Sequence, residues 1–205
     1  MRFEPTPQML NNAPQFLRLR SGAVATVRFV TLQDGPQLQA YFRTLSPRAR
    51  YNRFTGARGE LSSKEVEELA RVGDRDRFAV IARMQVDGAS VIVGEARYAL
   101  DRAAGSLEFA LSVQDTFRGQ GIGLALLFNI ECRARMLGAD WMFGDTLRTN
   151  DEMQALGRKA GFALSATPGD WRELRLTKAV GARRGIDPGA GIAPEIGPQP
   201  QLMTA

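Results

Sequence analysis

The residues best suited to chemistry in this chain are carboxylates, because the 205-residue sequence contains no histidine. Ser-His-Asp and Cys-His nucleophilic machinery is excluded, and so are His-ligated metals. Cys132 is the single cysteine, so neither an intrachain disulfide nor a cysteine-rich zinc site can form, and no metal is expected. A general base must then be a carboxylate, a tyrosine, the chain terminus or an ordered water. Glu108 is the leading candidate. It sits on the face opposite Leu107, Phe109, Leu111 and Val113, whose alternation with Glu108, Ala110 and Ser112 is that of a strand. Asp115 and Asp145 are lesser candidates that read as turn and strand-end residues.

The strand runs into Arg118-Gly119-Gln120-Gly121-Ile122-Gly123. After it Leu127, Ile130, Ala134 and Leu137 recur at helical spacing, and Gly138 is placed to stop the helix. A glycine-rich turn opening a helix presents backbone N–H groups to an anion, and the helix dipole favours a phosphate there. The P-loop is excluded, since no Gly-Lys-Ser/Thr occurs. The dinucleotide fingerprint lacks its third glycine, because Leu124 or Leu126 stands there.

This loop resembles the acyl-CoA pyrophosphate loop of the GNAT N-acetyltransferase superfamily. Asn150, Met153, Ala155, Leu156, Gly161 and Phe162 follow at the spacing of that superfamily's second signature. Three further pieces are similar to the bacterial protein-lysine acetyltransferase branch that modifies acyl-CoA synthetases: residues 45–54, 93–98 and 107–110. The resemblance spans residues 24–178. It implies acetyl-CoA as co-substrate. The backbone of Leu111, Ser112 and Val113 is then expected along the pantetheine arm. Arg118, Gly119, Gln120, Gly121, Ile122, Gly123 and Leu124 are expected around the pyrophosphate, with Asn150 and Met153 also at the cofactor. Glu108 matches the branch's proposed catalytic glutamate. Many members carry a tyrosine as general acid where this chain has Gly157. Tyr51, Arg53 and Phe54 are expected at the acceptor entrance, while core packing of Tyr51 and Phe54 in a short helix reads equally well.

The elements that must position these residues form a mixed α/β (α+β) domain. Its sheet is mostly antiparallel, of about six or seven strands flanked by helices, as in the GNAT fold. Residues 1–22 read as irregular, 23–180 as the acetyltransferase domain, and 181–205 as a flexible Gly/Pro-rich tail. Strands are expected at 23–30, 78–86, 89–100, around Glu108, at 141–147, 162–166 and 171–177. Asp87-Gly88 marks a hairpin. Helices are expected at 36–45, from Ser46-Pro47, from the capping box Ser62-x-x-Glu65 through about Val72, after the glycine loop, and at 151–160.

Lys and Arg total 27 against 22 acidic residues, a net charge of +5. Only Lys64, Lys159 and Lys178 are lysines. The excess suits an anionic substrate or an acidic protein surface. Neither a dense basic run nor interleaved aromatics suggests nucleic acid. No long apolar run suggests a membrane, and a cytoplasmic location is the default. The function expected is acetyl transfer from acetyl-CoA to a protein lysine, with an acyl-CoA synthetase as the acceptor the branch implies. A small-molecule amine acceptor and a non-catalytic acyl-CoA-binding sensor are the alternatives.

Overall fold

The computed structural model describes residues 14–54, 59–70, 76–167 and 169–181. The segment read as a tail therefore lies outside the described residues, except Gly181. The strands are β1 (Gln15–Arg18), β2 (Val24–Phe29), β3 (Arg77–Val86), β4 (Ala89–Asp101), β5 (Ser106–Val113), β6 (Trp141–Leu147), β7 (Ala163–Thr167) and β8 (Asp170–Ala179). They form one sheet in the order β1-β2-β3-β4-β5-β6-β8-β7. Every neighbouring pair is antiparallel except β5 and β6. The helices are α1 (Gly35–Thr44), α2 (Pro47–Phe54), α3 (Ser63–Ala70), α4 (Ile122–Met136) and α5 (Asp151–Lys159).

The sheet carries one strand more than the sequence suggested, and it lies in the segment read as irregular. Residues 15–18 pair with β2 from Gln15↔Val27 to Arg18↔Val24. Three nearby prolines and a length of four residues hid this strand from a periodicity argument. The hairpin at Asp87-Gly88 forms as expected. Both residues have positive φ, 51° and 80°, the conformation that a two-residue turn needs to match the strand twist.

Apolar residues fall on both faces of the sheet, and each face is covered by different helices. Leu107, Phe109, Ile122, Leu126, Leu127 and Ile130 belong to the core under α4. Val30, Leu38, Phe42, Ala49, Ile81 and Ile92 form a second core under α1 to α3. The even-numbered residues of β5 face this second side, so Glu108 looks toward α2 and away from α4. Among the described residues, no helix is long and apolar enough to cross a membrane.

Candidate functional site

The parallel pair β5 and β6 opens into a cleft. Its register runs from Ser106↔Trp141 to Glu108↔Phe143 and stops there, while both strands continue. At the branch point Gly144 lets the strands stay close. A Cβ on it would lie 2.8 Å from the Phe109 carbonyl oxygen. Beyond Glu108 the edge of β5 facing β6 has no ladder partner among the described residues. Backbone groups of Leu111, Ser112 and Val113 thus line an open edge, the arrangement that accepts an extended ligand as an added strand.

The glycine loop closes the wide end of this cleft. Gly119 and Gly121 have φ of 74° and 100°, a region closed to residues with a Cβ except at a strain cost. Gly121 leads directly into α4. The first-turn N–H groups of Ile122, Gly123 and Leu124 have no carbonyl four residues back within the helix, so they are available to an anion. Gly123 serves packing instead, since its Cβ would lie 3.1 Å from Leu156 Cδ2 of α5. Arg118 is held by two carboxylates, Asp115 at 2.9 Å and Glu152 at 2.5 Å. Asn150 caps α5: its Oδ1 accepts from Met153 N, and its Nδ2 donates to Thr146 Oγ1. Met153 packs against the α4-side core.

Glu108 stands at the last paired position before the cleft opens, half-buried, opposite Ala99 on β4 and Phe143 on β6. Arg175 on β8 binds Asp145 at 2.7 Å. That hydrogen bond chiefly holds the Arg175 pKa above its ordinary value, and the charge of Glu108 adds to it. Arg175 also lies over the Phe143 ring, 4.6 Å from its centroid. Next to it on the same face of β8, Glu173 has its pKa raised by burial and then by the charges of Asp145 and Asp170.

A charged network that sequence reasoning missed lies one strand away, beneath α2. Glu95 on β4 is 4% exposed and pairs directly with Ser112 on β5. It accepts a hydrogen bond from Arg53 Nε at 2.9 Å and lies 3.5 Å from Arg97. The Ser112 hydroxyl reaches it at 3.4 Å and lies 2.9 Å from the Tyr41 hydroxyl. Burial alone would raise the Glu95 pKa, but the opposing charges of Arg53 and Arg97 outweigh it and hold the group ionised. Burial and the neighbouring Arg53 push Arg97 down to about 10. Burial, then the Glu95 charge, pushes the Tyr41 phenol far up, so it remains a donor. The available signal was the alternation of Glu95 and Arg97 within the otherwise largely apolar stretch 91–100 of β4.

The acceptor-entrance residues divide. Tyr51 is 46% exposed, so core packing is excluded for it. Arg53 is turned inward onto Glu95, its side chain only 7% exposed. The side chain of Phe54 lies outside the described residues. The position of the absent tyrosine has a packing reason, because a Cβ at Gly157 would collide with the fully buried Leu176 side chain.

No family model matches the chain. Acetyltransferase PA5475 of Pseudomonas aeruginosa is 27% identical over 152 residues, covering 74% of this chain and 82% of that protein. The GNAT domain of S. lividans PAT superposes with a TM-score of 0.74 at 25% identity, covering 86% of this chain and 99% of that one. A GNAT-superfamily phosphinothricin acetyltransferase from Sinorhizobium meliloti, solved in complex with AcCoA, gives 0.62 at 22% identity, covering 83% and 96%. The chain has the GNAT fold, and these likenesses support an acyltransferase activity.

Proposed function

We propose that this GNAT-fold acyltransferase moves an acetyl group from acetyl-CoA to a lysine side chain of a protein, with Glu108 as general base. The observation that carries the reading is the position of Glu108, where the last β5–β6 pair gives way to the open cleft. Acetyl-CoA laid along Leu111 to Val113, with its pyrophosphate at residues 118–124, brings its thioester toward that point.

A lysine has an ordinary pKa near 10.4, so only about one in a thousand is neutral near pH 7.4. Glu108 takes the amine proton as nitrogen attacks the thioester carbonyl. The C–N bond forms, the C–S bond breaks, and the proton leaves on the CoA thiol. With glycine at 157, water or the departing amine proton protonates the CoA thiolate. Exposed Tyr51, on the helix that packs against both β5 and β6, suits an acceptor presented on a protein surface.

The test follows CoA-thiol release from acetyl-CoA with a purified acyl-CoA synthetase as acceptor, and weighs that acceptor for added acetyl groups. Acetylation that requires this protein is the expected result. A second reading, a small cationic amine, is favoured by Asp145 and Glu173, carboxylates that share the acceptor face with Glu108. Acetyl-CoA binding without transfer to the synthetase, followed by turnover with a polyamine, would select it.

A further inference from the structure

We propose that Asp115 is a positioning residue that clasps helix α2 to the acyl-CoA loop, so that acetyl-CoA bound at the loop stiffens the helix that frames the acceptor entrance. The inference rests on the acetyl-CoA reading above and deepens it. Helix α2 packs against both β5 and β6 and so bridges the mouth of the cleft. It is eight residues long and carries Arg48, Arg50 and Arg53. A helix this short is not stable alone in water, so its order depends on what anchors it.

Its N-terminal anchor is one carboxylate from a distant part of the chain. Ser46 accepts from Ala49 N at 3.1 Å, closing the first turn. The Ser46 N–H and hydroxyl both donate to Asp115, each at 3.1 Å. The same carboxylate is the 2.9 Å partner of Arg118, which also holds Glu152 in the first turn of α5. The circuit closes through Arg48, whose guanidinium donates to the Thr149 carbonyl at 3.4 Å, one residue before Asn150. The ring α2–Asp115–Arg118–α5–α2 thus encircles the place where the donor must enter.

The direction of the effect follows from charge. Arg118 is shared by two carboxylates, and a pyrophosphate at the loop is a third and stronger claimant. As Arg118 turns toward it, the Asp115 charge is left to the Ser46 donors and the positive end of the α2 dipole, and both contacts strengthen. Occupancy of the donor site and order of the acceptor helix are then coupled through one side chain.

Hydrogen exchange on the full chain, with and without acetyl-CoA, reads this directly. In the wild type, acetyl-CoA should slow amides of residues 49–54 at least about fivefold, alongside the first turn of α4. In Asp115→Asn, and independently in Ser46→Ala, the α4 amides should still slow while the α2 response disappears. The α4 response reports folding and donor binding in each variant, so a variant that fails to bind is recognised and the other decides. A wild type in which α4 responds and α2 does not would overturn the clasp, as would an undiminished α2 response in both variants. If neither helix responds in the wild type, the acetyl-CoA reading fails first and the clasp falls with it.

Discussion

Strand β5 works differently along its edge and across its face. The edge toward β6, with the loop that follows, offers backbone groups: a stretch beyond Glu108 with no ladder partner on that side among the described residues, two glycines of positive φ and the first turn of α4. The face toward α2 offers side chains: Glu108 and Ser112 from β5 itself, joined by Glu95, Arg97, Arg53 and Tyr41 from three other elements. The first arrangement is made by consecutive residues and tolerates almost any side chain outside the glycines. The second is assembled across the fold and depends on the charge or hydroxyl that each member contributes.

The sharpest way to separate the two is Glu108→Gln. On the reading proposed above, loss of the general base costs on the order of 10²- to 10⁴-fold in turnover, while acetyl-CoA affinity should hold, because that reading assigns the cofactor to backbone groups on the edge toward β6. Steady-state turnover beside calorimetric titration checks both halves. Full turnover in the variant would sink the assignment of the base.

Glu95→Ala attacks the face without touching the reacting groups. It leaves Arg53 and Arg97 facing each other beneath α2, and breaking a buried ion pair from one side costs about 3–5 kcal/mol. The side chains of Arg53 and Glu95 are only 7% and 6% exposed, so solvent gives little relief. Urea denaturation should show the loss. A variant of unchanged stability would mean that this network is not what holds α2 to the sheet.

The same contrast decides how much was legible in the sequence. The loop could be read because its glycines, its strand and its helix are neighbours in the chain, and local backbone requirements leave local residue types. Glu108 could be read because alternation fixes which face it takes. The network could not, since Tyr41, Arg53, Glu95 and Ser112 become neighbours only when α1, α2, β4 and β5 stack. Strand β1 escaped for another reason: four residues carry too few alternations to register, and its partner supplies the pairing. Arg53 is expected at the acceptor entrance from its place in the 45–54 stretch, and nothing in that local sequence announces an inward ion pair. A buried acid on a strand forty-two positions away turns it inward.

Acid should strike the side-chain-held half first. Asp34 is 3% exposed and binds Arg28 at 2.6 Å. Burial alone would raise its pKa, but the Arg28 and Thr31 hydrogen bonds overcome it and bring the group to about 2. A carboxylate lowered in the folded state contributes stability above its unfolded pKa of about 3.9 and loses it as pH falls toward 2; the contribution at neutral pH is about 2 kcal/mol. Urea midpoints at pH 7, 4 and 3 should fall steeply in the wild type, and Asp34→Asn should be weaker at pH 7 with a flatter slope. An identical slope in the variant would place the acid-sensitive group elsewhere.

Gly121→Ala is the smallest of these changes and tests the backbone side most cleanly. With φ at 100°, an alanine costs about 1 kcal/mol in backbone strain. Nothing lies within 4 Å of the added Cβ, so no clash adds to that cost. If the open space beside Gly121 serves only the turn, stability should fall while acetyl-CoA affinity holds, because the strain is the same in the free and the bound protein and cancels from the binding equilibrium. If the pyrophosphate occupies that space, the methyl group meets it directly, and affinity should fall well beyond the loss of stability. Melting and titration of the one variant therefore distinguish a glycine kept for its φ from a glycine kept for its ligand. Gly138, just past the far end of α4 with φ of 79° and equally open surroundings, provides the matched control away from the loop.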